Sequence, residues 1–251
     1  MAKHRNPQGS IIQRDSRRIP EKLDDDIFFG LTLDSDQKAF RDAIWDKNTI
    51  SVFCNSRSGT GKSTIAVGVG MMLCEYGLYD SIVYVATPTV EQKQGYLPGD
   101  QEAKSAPYMT PLEDALRALN YDPRHVIATS DNIEGIKDGS AIVEFTVDTY
   151  FRGINLENKV VIVDEAQNFY FDSLKKTLTR IHDNCKVIVI GHDKQCDIIK
   201  KPERSGFVKY LESFKKYKEE TGDERVKICT LTHNHRGWFS NFCDDVEPNY
   251  T

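Results

Sequence analysis

Asn55-Ser56-Arg57-Ser58-Gly59-Thr60-Gly61-Lys62-Ser63-Thr64 decides the reading of this chain. The β-branched, apolar run Ile50-Ser51-Val52-Phe53 precedes it, and the helix-compatible run Thr64–Leu73 follows. Strand, glycine loop, Gly-Lys-Ser and helix make up the context of a phosphate-binding loop. Gly59 and Gly61 let backbone N–H groups turn inward on anionic oxygens, and the helix that opens near Lys62 aims its positive end at the same point. Ser58, Gly59, Thr60, Gly61, Lys62, Ser63 and Thr64 are therefore the candidate nucleotide-binding residues. Lys62 is expected on the β/γ-phosphates and the Ser63 hydroxyl on Mg²⁺. One position departs from the pattern: Ser56 stands where the first loop glycine belongs.

Working outward, Val160-Val161-Ile162-Val163 reads as a buried parallel strand. It runs into Asp164-Glu165-Ala166-Gln167, and a carboxylate at that end of a parallel strand faces the crevice where α/β sheets bind ligands. Asp164 is the expected second metal residue, acting through water, and Glu165 the residue that orients or deprotonates the attacking water. A further strand, Lys186–Gly191, ends in His192-Asp193-Lys194-Gln195. The strand beside the acidic one carries a γ-phosphate sensor in this kind of sheet, and Gln195 is the candidate.

The remaining periodicity alternates helix and strand. Helices are expected over Asp34–Lys47 (Asp34 or Ser35 as N-cap), Pro111–Leu119, Asp172–His182, Ser205–Lys218 and Gly237–Val246. Strands are expected over Ser81–Ala86, Ala141–Val147 and Val226–Leu231. Gln92–Pro111 is a long irregular stretch of the kind that carries function. The fold class is α/β: a three-layer parallel sheet forming a single RecA-like P-loop NTPase core. Residues 1–30 are read as a basic, flexible arm, 31–246 as the ATPase domain and 247–251 as a tail. One core lacks the arginine that a second core would supply, an element worth about a thousandfold or more in rate. Arg152, Arg180, Arg204 and Arg236 are the candidates.

Composition narrows the class. The 251 residues carry a net charge of −5 at pI about 5.7, which excludes a strongly basic nucleic-acid binder. Charge is uneven: Lys3, Arg5, Arg14, Arg17, Arg18 and Lys22 against Asp15 and Glu21 leave the first 22 residues at +4 and the rest at −9. The arm either touches phosphate backbone or is a solvated tail. The six cysteines form no Cys-x-x-Cys pair, and a zinc set of His182, Cys185, His192 and Cys196 would straddle a whole strand. With no signal peptide or membrane span in the pattern, a cytoplasmic location is expected.

At this point the motifs resemble PhoH-family ATPases, single-core relatives of superfamily 1 helicases. The resemblance runs from about Leu33 to Cys243. It rests on Gln37, Ser58–Ser63, Gly95-Tyr96-Leu97-Pro98-Gly99-Asp100, Pro107-Tyr108, Pro111-Leu112, Tyr150-Phe151-Arg152-Gly153, Asp164-Glu165-Ala166-Gln167-Asn168, Leu178-Thr179-Arg180-Ile181, Gln195 and Ser205-Gly206. It implies ATP as the nucleotide, with Gln37 matching the adenine-reading glutamine of related helicases. It implies that Gln167 couples hydrolysis to nucleic acid, sensing the γ-phosphate together with Gln195, and that single-stranded RNA or DNA and further copies of the chain are partners, some relatives being rings. Nuclease activity, which some relatives carry on a fused domain, is not carried over. His192 stands where the family sensor motif has aspartate, and His233-Asn234-His235-Arg236-Gly237-Trp238 follows the family ending only loosely. Phe169-Tyr170-Phe171 either stacks on bases or packs the next helix. The compact form suits a phage-encoded member.

The expected activity is Mg²⁺-dependent ATP hydrolysis coupled to single-stranded nucleic acid, with unwinding only in an assembly. A nucleotide-gated scaffold without turnover is the alternative, ahead of a small-molecule P-loop kinase.

Overall fold

The computed structural model describes residues 19–24, 28–88, 106–150, 155–195, 205–244 and 246. The Leu97–Asp100 block, Arg152, Arg204 and Cys196 lie outside them, as do most of the arm and the tail. The elements in order are α1 (Ser35–Trp45), β1 (Ser51–Asn55), α2 (Lys62–Glu75), β2 (Ser81–Ala86), α3 (Thr110–Ala118), α4 (Pro123–Val126), α5 (Ile133–Asp138), β3 (Val143–Val147), β4 (Lys159–Val163), α6 (Phe171–Leu178), β5 (Lys186–Gly191), α7 (Gly206–Thr221), β6 (Val226–Cys229) and α8 (Trp238–Asp244).

The strands form one sheet in the order β3-β2-β4-β5-β1-β6, every pairing parallel. This is the expected three-layer α/β core of RecA-like type, with β5 inserted between the glycine-loop strand β1 and the acidic strand β4. The apolar runs are buried for the reason their composition suggests: a parallel strand is covered on both faces. Val160, Val161, Ile162 and Val163 are all fully buried. Alternate residues feed two cores. Val52, Cys54, Tyr84 and Ile162 pack with α1, α2 and α3, while Phe53, Val161 and Val163 pack with α6 and α7.

Helix ends follow side-chain chemistry. Asp34 caps α1 through a capping box: its carboxylate accepts from Gln37 N at 2.9 Å, and Gln37 Oε1 accepts from Asp34 N at 3.1 Å. The helix expected to reach His182 stops at Leu178 instead, because the chain turns there to pair Ile181 with Leu156. The packed core also reaches further upstream than the expected boundary at residue 31. Leu23 and Phe28 are buried in it, Trp45 Nε1 donates to Pro20 O at 3.0 Å, and Arg41 donates to Asp24 O at 3.0 Å. No helix among the described residues is long and apolar enough to cross a membrane.

Candidate functional site

The glycine loop joins the carboxyl end of β1 to α2. Gly59 and Gly61 take φ of +79° and +85°, the left-handed region in which a side chain is strained. Gly61 is the N-cap of α2 and supplies no side-chain cap, so the first N–H groups of that 14-residue helix face the loop mouth. Lys62 is buried, and its Nζ donates to Arg57 O at 2.9 Å; Thr60 Oγ1 donates to the same carbonyl at 3.0 Å. Ser58 and Thr64 are half-buried on either side. Gln37 reaches the loop from α1, donating through Nε2 to Thr60 O at 2.9 Å. Both ends of its amide are thus engaged, one on the helix cap and one on the loop.

Ser56, the position that departs from the glycine pattern, is buried. Its N–H donates to Gly191 O at 2.9 Å, and its Oγ accepts from Leu231 N. The hydroxyl ties the loop to the segment that follows β6. Residues 231–236 form a strap over the loop. Thr232 donates to Asp36 Oδ2 through both N and Oγ1, at 3.1 and 2.6 Å, and His235 Nε2 meets Asp34 Oδ2 at 3.0 Å. His235 N donates to Gly59 O at 2.9 Å, and Asn234 Oδ1 accepts from Arg236 N at 2.8 Å. A Cβ on Gly59 would collide with the Asn234 carboxamide and stand 3.1 Å from Arg236 Cδ. Burial pushes the Asp34 carboxyl upward, but the Gln37 N–H and the His235 ring outweigh it and hold the group below its ordinary value.

The acidic half faces the loop from β4. Asp164 is buried at 2 % exposure. Its Oδ2 accepts from Ser63 Oγ at 2.7 Å, across 101 residues of sequence, and from the Tyr84 phenol; its Oδ1 accepts from Glu165 N at 2.7 Å. Tyr84 is held protonated: burial, then the Asp164 charge, push its pKa well above the usual phenol range. Glu165 is exposed and takes φ +48°, a costly conformation for a non-glycine residue. Its Oε2 accepts from the amide of buried Gln167, whose Oε1 accepts from His192 N at 3.0 Å. A side chain at Gly191 would meet Gln167 Oε1 at 2.7 Å, so that glycine admits the glutamine. Hydroxyl and carboxylate oxygens side by side are the hard donors that suit Mg²⁺.

The site thus unites Gln37, the loop residues, Ser63, Asp164, Glu165 and Gln167. Gln195 lies in the exposed turn after β5, its N–H donating to His192 O at 3.3 Å; the side chain that meets the sensor turn is Gln167. Of the candidate arginines, Arg236 lies beside the loop of its own chain. Arg180 sits at the opposite edge of the sheet, its carbonyl accepting from Leu156 N ahead of β4 at 3.0 Å. Phe169 is in the core and Phe171 stacks on Tyr210 of α7 at 5.6 Å, leaving Tyr170 exposed between them. Two contributors escaped the sequence reading. Tyr84 sits in an apolar run and reads as core, and the strap meets the loop through partners 175 residues or more apart.

A family model described as PhoH-like protein matches residues 32–235. Protein PhoH2 of Bacillus subtilis (strain 168) is 33% identical over 144 residues, which is 56% of this chain and 31% of that protein. A PhoH-like protein of Mycobacterium leprae (strain TN) is 34% identical over 164 residues, 64% and 44% of the two chains. Protein PhoH of Escherichia coli (strain K12) is 33% identical over 149 residues, 59% and 40%. The chain therefore spans less than half the length of these curated relatives. Solved structures with a similar core include the HK97 bacteriophage large terminase, with TM-score 0.48 and 14% identity over 80% of this chain and 39% of that one. Another is the Pif1 helicase from Candida albicans, with TM-score 0.40 and 14% identity over 85% and 43%. Such distant likenesses carry nothing about activity. The family match takes in the α1 cap, the loop, the acidic strand end and the strap as far as His235, and the chain belongs to the PhoH family.

Proposed function

We propose that this chain is a Mg²⁺-dependent ATPase coupled to single-stranded nucleic acid. The observation that carries the reading is the Ser63–Asp164 hydrogen bond of 2.7 Å directly beneath a left-handed glycine loop. In support, Ser63 in the first turn of α2 meets Asp164 at the carboxyl end of β4, beside buried Lys62. Lys62 and the loop N–H groups bind the phosphates, and Ser63 with Asp164 holds Mg²⁺, which supplies charge neutralisation on the phosphate oxygens. Glu165 orients or deprotonates water. Its carboxylate hangs on Gln167, and Gln167 on the β5 turn through His192, so a shift in that turn re-aims Glu165. This chain of bonds supports coupling between hydrolysis and a nucleic acid that moves the turn; Gln195, in the same turn, is the candidate that answers the γ-phosphate. Arg236 serves the loop of its own chain, and a neighbouring copy in a homo-oligomer would add a second arginine.

Phosphate release from Mg·ATP, measured with and without single-stranded RNA and DNA over a range of protein concentrations, tests this. Stimulation by either strand supports coupling. Specific activity that rises with concentration points to an arginine supplied between subunits, and flat activity to Arg236 acting within the chain. Tight ATP binding with negligible release in every condition would sink the ATPase reading in favour of a nucleotide-gated scaffold.

A further inference from the structure

Tyr84 has no place in the chemistry so far described, yet its hydroxyl is aimed at the acidic edge. It lies in β2, paired in register with Ile162 of β4, and Asp164 is two residues beyond Ile162 on the same face. The ring is fully buried and stacks on Phe145 of β3 at 6.2 Å. Packing alone would be served as well by phenylalanine, at no cost of burying a hydroxyl. The hydroxyl is satisfied by the same Oδ2 that accepts from Ser63. Among the described residues three donors hold the Asp164 carboxylate: Ser63 and Tyr84 on Oδ2, and the Glu165 N–H on Oδ1. The Glu165 N–H belongs to the next residue and moves with the carboxylate's own backbone. Ser63 is itself a metal residue. Tyr84 is the donor anchored in a different strand.

Resting on the ATPase reading above, we infer that Tyr84 is a positioning residue for the metal half of the site, fixing the Asp164 carboxylate beside Ser63 and acting through it. Without the phenol the carboxylate keeps only Ser63 and the N–H of its own neighbour, and the outer partner of the metal is held less firmly in direction. Loosening a partner of this kind lowers metal affinity about 10- to 100-fold. Binding of nucleotide without metal depends on Lys62 and the loop N–H groups and stays as it was.

The test is Tyr84→Phe, with Phe145→Leu as a packing control that leaves the phenol in place. Mn²⁺ affinity in the presence of ADP is read by electron paramagnetic resonance, ADP affinity in EDTA by calorimetry, and folding by thermal melting. The expected result is Mn²⁺ affinity lowered about tenfold in Tyr84→Phe, with metal-free ADP affinity retained. Phe145→Leu is expected to shift melting without that loss. Unchanged Mn²⁺ affinity in Tyr84→Phe overturns the inference. So does a parallel fall in metal-free ADP binding, or a Tyr84→Phe chain that fails to fold where Phe145→Leu folds. A wild-type chain that binds no nucleotide removes the ATPase reading and this inference with it, whereas normal wild-type binding beside an unaltered Tyr84→Phe removes this inference alone.

Discussion

Two lysines are buried at opposite ends of the same sheet, and both end on backbone carbonyls. Lys62 opens α2 at the carboxyl edge and donates to Arg57 O. Lys186 opens β5 at the amino edge and donates to Asp46 O and Thr49 O. Burial is deeper for Lys186, and it pulls that ammonium down to about 8. On the proposed reading Lys62 has a use beyond folding and Lys186 has none, and the difference lies in the company each keeps. Around Lys62 stand two left-handed glycines, a helix N-terminus, and Ser63 on Asp164, all of which can take up a phosphate and its metal. Around Lys186 stand carbonyls that close the turn between α1 and β1. A buried charge marks a site when its neighbours can exchange a protein partner for a ligand, and marks a staple when they cannot.

The sharpest break to that comparison comes from the group proposed to act on water. Glu165→Gln keeps shape and removes the proposed base, so kcat is expected to fall about 10²- to 10⁴-fold with ATP affinity retained; turnover left intact would refute the assignment. The lysines themselves come next. Lys62→Met is expected to weaken ATP binding about 10- to 100-fold, the worth of a charge-assisted contact, with little change in melting. Lys186→Met reverses the pattern. It leaves the buried Thr49 carbonyl without the Lys186 donor, at a cost of about 1–3 kcal/mol, with ATP affinity unchanged. The pH dependence carries the sign. With a folded pKa of about 8, below the 10.5 of a free lysine, the folded chain holds fewer protons than the unfolded one between those values. Stability from this group rises with pH through that window, so the deficit of Lys186→Met in denaturant melts should widen above pH 8. A deficit that is flat or narrows would show that Lys186 is not carrying its charge into the core.

The contrast between the two lysines also separates what could be read in the sequence from what could not. Local order was legible: β-branched runs became buried parallel strands, Asp34 became a cap, and Gly-Lys-Ser opened a helix, because each depends on neighbours within a few residues. Ser63 and Asp164 were legible as a pair through motif spacing, although 101 residues separate them. Lys186 was not, since a lysine at a strand start reads as solvated until the α1–β1 turn folds over it. Tyr84 was hidden by a composition that reads equally as core. The strap was hidden by sequence distance: nothing local to Asn234 or His235 announces Gly59, and the role of Ser56 rests on a partner at Leu231.

Ser56 gives the comparison its smallest and most discriminating test. The usual residue there is glycine, so Ser56→Gly looks like a restoration of the loop. The structure argues the reverse. The Ser56 hydroxyl accepts from the buried Leu231 N–H, and deleting it strands that donor where water does not reach. Glycine also adds freedom to the unfolded chain, which costs a further few tenths to about 1 kcal/mol. Ser56→Gly should therefore lower stability by about 1–3 kcal/mol and loosen the strap, read as faster hydrogen exchange at Leu231–Arg236. The consequence for function follows from Gly59, whose carbonyl and Cα face are held by His235 and Asn234 of that same strap. A loosened strap frees Arg236 from the loop, so turnover falls while Lys62-dependent ATP affinity holds. If Ser56→Gly instead stabilises the chain or quickens turnover, the strap is a brake on the loop, and the carboxyl edge is closed in the manner of the Lys186 end.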